Sequence, residues 1–117
     1  LSDLEQLIAY RLGGGGNEYP LQSLDISNNN KLKVLSLGGD GIYQINTHNS
    51  AQTSLTNLEV SGITSSIDVS NYPNLNYLMV QNDNRNICIQ VSQDQLDNIG
   101  SLNFYKDFRD TFSLNCN

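Results

Sequence analysis

Residues of the types that usually carry catalysis are few in this sequence and stand apart from one another. The only histidine, His48, lies in the polar segment INTHNS. No nucleophile elbow, zinc-protease motif or phosphate loop occurs in the chain, and the glycine run at residues 13–16 lacks the Gly-Lys-Ser/Thr that a phosphate loop needs. The sequence therefore predicts a protein that is not an enzyme and that uses no cofactor and no metal ion.

Two carboxylates are the remaining candidates for metal-ion chemistry. Asp25 and Asp68 stand one residue before the last apolar position of similar segments, and Asn46 has the same place in a segment between them. On stacked strands about 4.8 Å apart, two steps separate the carboxylates by about 10 Å. A Ca²⁺ ion needs about six to eight oxygen ligands. We therefore expect this aspartate row (Asp25, Asn46 and Asp68) to be polar surface.

The elements that position these residues follow a repeated pattern of apolar positions, L-x-x-L-x-L. The middle positions Leu24, Ile45, Ile67 and Ile89 are 21, 22 and 22 residues apart, and a second series of equivalent positions interleaves with them: Tyr10, Leu35, Leu58 and Leu78. A period of about 20–29 residues with this pattern is the signature of leucine-rich repeats. The pattern predicts eight short strands, which begin near the following residues: Leu7, Leu21, Leu32, Ile42, Leu55, Thr64, Leu75 and Asn86.

The period predicts a leucine-rich-repeat solenoid of mostly short parallel β-strands, stacked in coils of 21–22 residues, with little helix. One coil is too thin to bury its own apolar side chains, and stacking joins the Leu and Ile positions into one core. Asn and Gly tolerate the backbone conformations of tight turns, so we expect the 17 asparagines to be mainly structural. A parallel β-helix is the alternative, but its coils usually have more strands than this pattern supplies.

A second row of outward positions is the candidate binding surface. The row and its flanking positions comprise Arg11, Ser36, Glu59 and Met79, with Val34, Asn57 and Tyr77 beside them. Exposed apolar groups such as Tyr77 and Met79 can mark an interaction site. If the C-terminal segment folds over them instead, they belong to the core. The sequence predicts that a protein or glycan partner contacts Arg11, Glu59, Tyr77 and Met79.

Several segments carry a more specific pattern. The segment LQSLDISNNNKLKVLSL at residues 21–37 shares a phrase with IDVSNYPNLNYLMV at 67–80, and NICIQV and TFSLNC follow towards the C-terminus. These segments resemble the 21-residue leucine-rich repeats of secreted proteins from Bacteroidota, whose recurring phrase is LxSLDVSNNxxLxxLxxxxN, and the cap that closes them. The resemblance covers residues 21–117 and implies an exported protein, extracellular or on the cell surface.

Residues 92–117 are predicted to form a helical C-terminal cap after repeat coils at residues 1–91. Ser92 and Gln95 fit a capping box at the start of a helix that runs through about Ile99 and ends at Gly100. Aromatic residues spaced by three to four positions are expected to cover the last coil with one buried face: Phe104, Tyr105, Phe108 and Phe112.

The two cysteines, Cys88 and Cys116, are too far apart in sequence for a C-x-x-C redox pair or half of a zinc knuckle. The cap that the chain resembles carries two cysteines, and an exported protein suits a disulfide. The resemblance therefore implies a Cys88–Cys116 bond, with two buried free thiols as the alternative.

The first twelve residues have two interpretations. Ser2 and Glu5 fit a capping box before a short helix, whereas the apolar positions of residues 4–12 continue the repeat, which we favour. Terminal caps are normally needed to cover the end of a repeat core. Since no N-terminal cap is evident, we expect the chain to be a fragment.

Composition and charge narrow the classes of function. The net charge is −6 and the six Lys and Arg residues are scattered, so nucleic acid is not an expected partner. No apolar run is long enough for a membrane span. The sequence predicts a non-catalytic protein- or glycan-binding or adhesion module. The alternatives are an accessory segment of a larger secreted enzyme or envelope complex and, below it, a parallel β-helix carbohydrate-active domain.

Overall fold

A computed structural model describes residues 3–10, 23–38, 44–46, 51–61, 66–81, 86–107 and 109–116 of the chain. Within these ranges the chain forms ten short strands and one helix. The strands are β1 (Gln6–Tyr10), β2 (Ser23–Asp25), β3 (Val34–Gly38), β4 (Gln44–Asn46), β5 (Asn57–Ser61), β6 (Ile67–Asp68), β7 (Tyr77–Gln81), β8 (Cys88–Gln90), β9 (Asn103–Tyr105) and β10 (Thr111–Ser113). The helix, α1, spans Gln93–Asp97.

All strand pairs in the described residues are parallel. The odd-numbered strands form a five-stranded sheet in the order β1-β3-β5-β7-β9, while β2 pairs with β4 and β8 lies between β6 and β10. Every pair therefore joins two strands that are two apart along the chain, although no pair between β4 and β6 is found among the described residues. The chain moves between sheets after every strand from β1 to β8. The fold consists mostly of parallel strands in sheets with little helix, as the sequence predicts, and all eight predicted strands are present.

The turns repeat as well as the strands. The amide of Asn29 donates to the Ile26 carbonyl and that of Leu32 to the Asn29 carbonyl, each at 3.0 Å. The same two hydrogen bonds recur at 3.1 Å between Tyr72 and Val69 and between Leu75 and Tyr72. Residues 26–32 and 69–75 thus form the same turn in two places, each followed by a strand of the five-stranded sheet.

The core is a single apolar cluster to which the strands and turns of several sheets contribute. Leu35, Leu58 and Leu78 occupy equivalent positions of β3, β5 and β7 and are fully buried. The partly buried Leu7 and Phe104 extend this inner row to both edge strands. Because neighbouring residues of a strand point to opposite faces, these inner residues determine which residues lie on the outer face of the sheet.

The C-terminal segment differs from the predicted helical cap. The capping box between Ser92 and Gln95 is present, but α1 ends at Asp97 rather than near Ile99. Asn98 ends the helix, since its side-chain amide donates to the Asp94 carbonyl at 2.7 Å. The chain then forms β9 and β10, which the sequence did not predict and which extend two of the sheets by one strand each.

At the N-terminal end the described residues form a strand and not the alternative short helix, because β1 spans Gln6–Tyr10 and pairs with β3. That this strand belongs to a repeat coil stays a prediction. Lys31 and Lys33, in the turn before β3, form exposed ion pairs with Asp3 and Glu5 at 2.9 and 3.0 Å. Within the described residues, no helix is both long enough and apolar enough to cross a membrane.

Candidate functional site

The candidate site is the outer face of the five-stranded sheet. Two rows of side chains cross this face, each with one residue from every strand. The first row is Gln6, Val34, Asn57, Tyr77 and Asn103, and the second row is Ile8, Ser36, Glu59, Met79 and Tyr105. Parallel strands lie about 4.8 Å apart, so either row crosses about 19 Å of surface.

The C-terminal end of this face carries a cluster of three side chains, Tyr77, Met79 and Tyr105. The rings of Tyr77 and Tyr105 lie with their centroids 5.8 Å apart and their planes tilted by 58°. The Tyr77 hydroxyl donates a weak hydrogen bond to the Met79 sulfur at 3.9 Å. Tyr77 and Met79 are half-buried, and Tyr105 keeps 51% of its surface exposed. We call these residues the tyrosine–methionine cluster.

Polar groups surround the cluster. The register places Asn57 and Asn103 on either side of Tyr77, and both are exposed. Glu59 is next to Met79 in the second row and is half-buried. The two rows contain this one carboxylate and no Lys or Arg. The site combines aromatic rings, amides and an acid, and it offers no cation to an anionic ligand.

Two predictions for this face need correction. Ser36 is only 5% exposed, so its place in the outer row does not make it part of an accessible surface. Ile8 is 54% exposed and pairs with Ser36. It thus occupies the position beside Ser36 in the outer row at which the sequence predicted Arg11. Arg11 itself lies outside the described residues. The predicted alignment used Tyr10 as the partner of Leu35, whereas the structure pairs Leu7 with Leu35.

Tyr105 is the residue of the cluster that sequence reasoning missed. The prediction that all four aromatic residues of this segment are buried is wrong for Tyr105, while Phe104 and Phe112 do pack against the core. Phe108 lies outside the described residues. Strand β9 explains the difference, because Phe104 and Tyr105 are neighbours in a strand and point to opposite faces. The C-terminal segment thus contributes Tyr105 beside Tyr77 at the edge of the sheet.

Asp25 and Asp68, the two carboxylates of the predicted aspartate row, are exposed and bond to nearby backbone. The register pairs Asp25 with Asn46 and Asp68 with Gln90. Each aspartate accepts a hydrogen bond from the amide two residues later, at Ser27 and at Ser70, both at 2.9 Å. These contacts close the turns that follow β2 and β6. In the part of the chain that the structure describes, no group of three or more His, Cys, Asp or Glu residues is arranged to hold a metal ion.

The disulfide between Cys88 and Cys116 is present, with Cα atoms 5.6 Å apart. It joins β8 to the segment that follows β10, and these two strands are also paired directly. The Gln90 side chain accepts a hydrogen bond from the Cys116 amide at 3.2 Å. His48 and the glycine run at residues 13–16 lie outside the described residues.

Comparisons with known proteins identify no relative of this chain. No protein-family model matches it, and neither a curated protein nor a solved structure matches it significantly. The function is therefore argued from the geometry of the outer sheet face.

Proposed function

We propose that this chain is a non-catalytic binding module of an exported protein, in which a leucine-rich-repeat solenoid presents the tyrosine–methionine cluster to a protein or glycan. The observation that carries the proposal is the cluster itself. Two tyrosines and a methionine lie together on the outer face of a sheet, and none of the three belongs to the buried apolar core. Tyr and Met are enriched at interfaces, and exposed apolar patches mark interaction sites.

The proposed solenoid suits this function because it separates the residues that form the core from the residues that form the binding surface. Inner residues at equivalent positions form the core, and outer residues can vary without disturbing it. The repeated turns at 26–32 and 69–75 and the parallel pairing of alternate strands favour stacked coils. Between successive strands of the five-stranded sheet, from β1 to β7, the chain forms one strand of another sheet. This alternation favours two strands per coil over a parallel β-helix carbohydrate-active domain.

Export is supported by the disulfide, since such bonds persist in oxidising environments outside the cytosol. We place the protein outside the cell or on the cell surface. An accessory segment within a larger secreted enzyme or envelope complex is the second candidate. The same disulfide and the same surface favour it, since a segment of that kind also needs an outward contact face.

The proposed function is tested by binding the purified chain to an array of purified glycans and surface proteins. We expect at least one ligand whose affinity falls about tenfold in the Tyr77→Ala/Met79→Ala variant, since hot-spot truncation costs about 1–2 kcal/mol. Leu114→Ala is the matched control, because Leu114 is also exposed (47%) but follows β10. Circular dichroism should be unchanged in both variants. Binding that survives Tyr77→Ala/Met79→Ala but is lost in Asp25→Ala/Asp68→Ala would overturn the proposal.

A further inference from the structure

The tyrosine–methionine cluster has the chemistry of a sugar-binding platform. A tyrosine presents an apolar ring and a polar hydroxyl, and the aliphatic C–H groups on one face of a pyranose pack against such a ring. The centroid separation of 5.8 Å between Tyr77 and Tyr105 is comparable with the length of one pyranose unit in an extended chain. Two rings at this distance can each contact one of two successive sugar units.

The side chains around the rings complement sugar hydroxyl groups. An asparagine amide offers two donors and one acceptor oxygen, whereas each sugar hydroxyl both donates and accepts. Asn57 and Asn103 occupy the strand positions on either side of Tyr77, and both are exposed. The carboxylate of Glu59, beside Met79, adds an acceptor. Ring contacts and hydroxyl contacts are therefore available within one patch.

The charge of the face selects among sugars. A uronic or sulfated glycan would meet Glu59 with no Lys or Arg in either row of the sheet. Among the described cations, Lys31 and Lys33 pair with acids near the N-terminus, and Lys106 lies over the Phe112 ring, 5.6 Å from its centroid. Arg109 precedes β10, which belongs to another sheet. The net charge of −6 also repels anions. A neutral ligand is the one that this face fits.

We infer that the tyrosine–methionine cluster, with Asn57 and Asn103 beside it, binds a neutral, extended oligosaccharide, with successive pyranose units packed on Tyr77 and Tyr105. This inference rests on the proposed function and names the chemistry of its ligand. Met79 positions the ring of Tyr77, because its sulfur accepts a weak hydrogen bond from the Tyr77 hydroxyl. A protein partner is disfavoured since hot spots prefer desolvated pockets, whereas Tyr105 is half exposed and the Asn57 and Asn103 side chains beside Tyr77 are exposed as well.

The test is a titration of the purified full chain with cellohexaose, mannohexaose, xylohexaose and, as an anionic probe, hexagalacturonate, followed by calorimetry and by NMR of the tyrosine rings. We expect at least one neutral hexasaccharide to bind and to perturb the Tyr77 and Tyr105 ring signals. Tyr105→Ala and Tyr77→Ala should each weaken it about fivefold or more. Tyr105→Phe should retain binding, and Leu114→Ala should leave it unchanged. Hexagalacturonate should bind at least about tenfold more weakly.

Three results would overturn the inference: no neutral hexasaccharide binds, the tyrosine variants bind as the original chain does, or hexagalacturonate binds as tightly as the neutral sugars. The two proposals fail separately. Suppose that no neutral sugar binds but that a protein ligand binds with an affinity that depends on Tyr77 and Met79. This result refutes the sugar inference and leaves the proposed function standing. If no ligand of either class depends on the cluster, both are wrong.

Discussion

At the scale of single residues, Tyr72 is the polar side chain most deeply embedded in the core. It is fully buried, and among the described residues its hydroxyl has no hydrogen-bond partner. Burial, assisted by the negative charge of Asp68, raises the pKa of Tyr72 well above its usual range. A buried hydroxyl without a partner costs free energy, so the ring supplies the stability that this residue contributes.

The first prediction concerns the alkaline limit of stability. A raised pKa means that the folded state favours the neutral phenol. The contribution of Tyr72 to the free energy of unfolding is therefore fully present below the pKa of a tyrosine in the unfolded chain, which is about 10. As the pH rises above that value, the free energy of unfolding should fall by about 1.4 kcal/mol per pH unit. Tyr72→Phe should remove this loss and should equal or exceed the original stability at pH 8. Urea denaturation from pH 8 to 11 measures both effects.

Tyr77→Phe, on the exposed sheet face, is the matched control for this prediction and should keep the alkaline loss. If Tyr72→Phe loses stability above pH 10 as steeply as the original chain does, ionisation of Tyr72 is not the cause.

At the scale of elements, one glutamine joins helix α1 to the turn formed by residues 69–75. The buried Gln95 side chain donates to the carbonyls of Val69 and Tyr72 at 2.9 and 3.1 Å. Its oxygen accepts a hydrogen bond from the Ser92 amide at 2.8 Å, as part of the capping box. A helix of five residues is too short to be stable by itself, so these tertiary contacts maintain it.

The second prediction compares the two halves of the capping box. Ser92→Ala removes one cap interaction and should lower the free energy of unfolding by about 1 kcal/mol. Gln95→Ala removes one of the two hydrogen bonds that the Val69 and Tyr72 carbonyls each accept, leaves the Ser92 amide without the Gln95 oxygen, and should cost about 2–4 kcal/mol. Chemical denaturation of both variants measures the order. Equal losses in the two variants would show that Gln95 acts only as a helix cap and that its contacts with Val69 and Tyr72 add nothing.

At the scale of the whole molecule, the disulfide links the segment that follows β10 to strand β8. Cys88 and Cys116 are 28 residues apart, so the bond closes a long loop in the unfolded chain. In the chain-entropy model a loop of this length is worth about 3–4 kcal/mol. Since β10 is an edge strand beside β8 in the sheet that the described residues form, we expect this cross-link to matter most for that edge of the sheet.

The third prediction is that the purified chain contains no alkylatable thiol under non-reducing, denaturing conditions and two after reduction. Cys88→Ser/Cys116→Ser should lower the free energy of unfolding by about 3–4 kcal/mol, measured by urea denaturation. The reduced original chain is the control and should show a loss of similar size. Mass spectrometry that finds two alkylated cysteines without reduction would exclude the disulfide.

The sequence by itself determined which residues face inward from β3, β5, β6, β7 and β8. Alternation along a strand and a recurrence of 20–23 residues are patterns that the sequence alone contains, and they predicted the buried positions of Leu35, Leu58 and Leu78. The capping box at Ser92 is another such pattern. The pairing of Cys88 with Cys116 followed from a resemblance to known caps, which carried information that spacing alone does not contain.

Only the tertiary structure decided the composition of the outer face. Whether Leu7 or Tyr10 pairs with Leu35 depends on a contact between distant segments, and both residues fit the apolar pattern. Aromatic spacing placed Tyr105 in the core, but pairing of β9 with β7 sends it outward beside Tyr77. Ser36 fits an outward position yet is buried. Sequence periodicity specifies the direction of a side chain relative to its own backbone, whereas exposure depends on which strands pair and on what packs over the face.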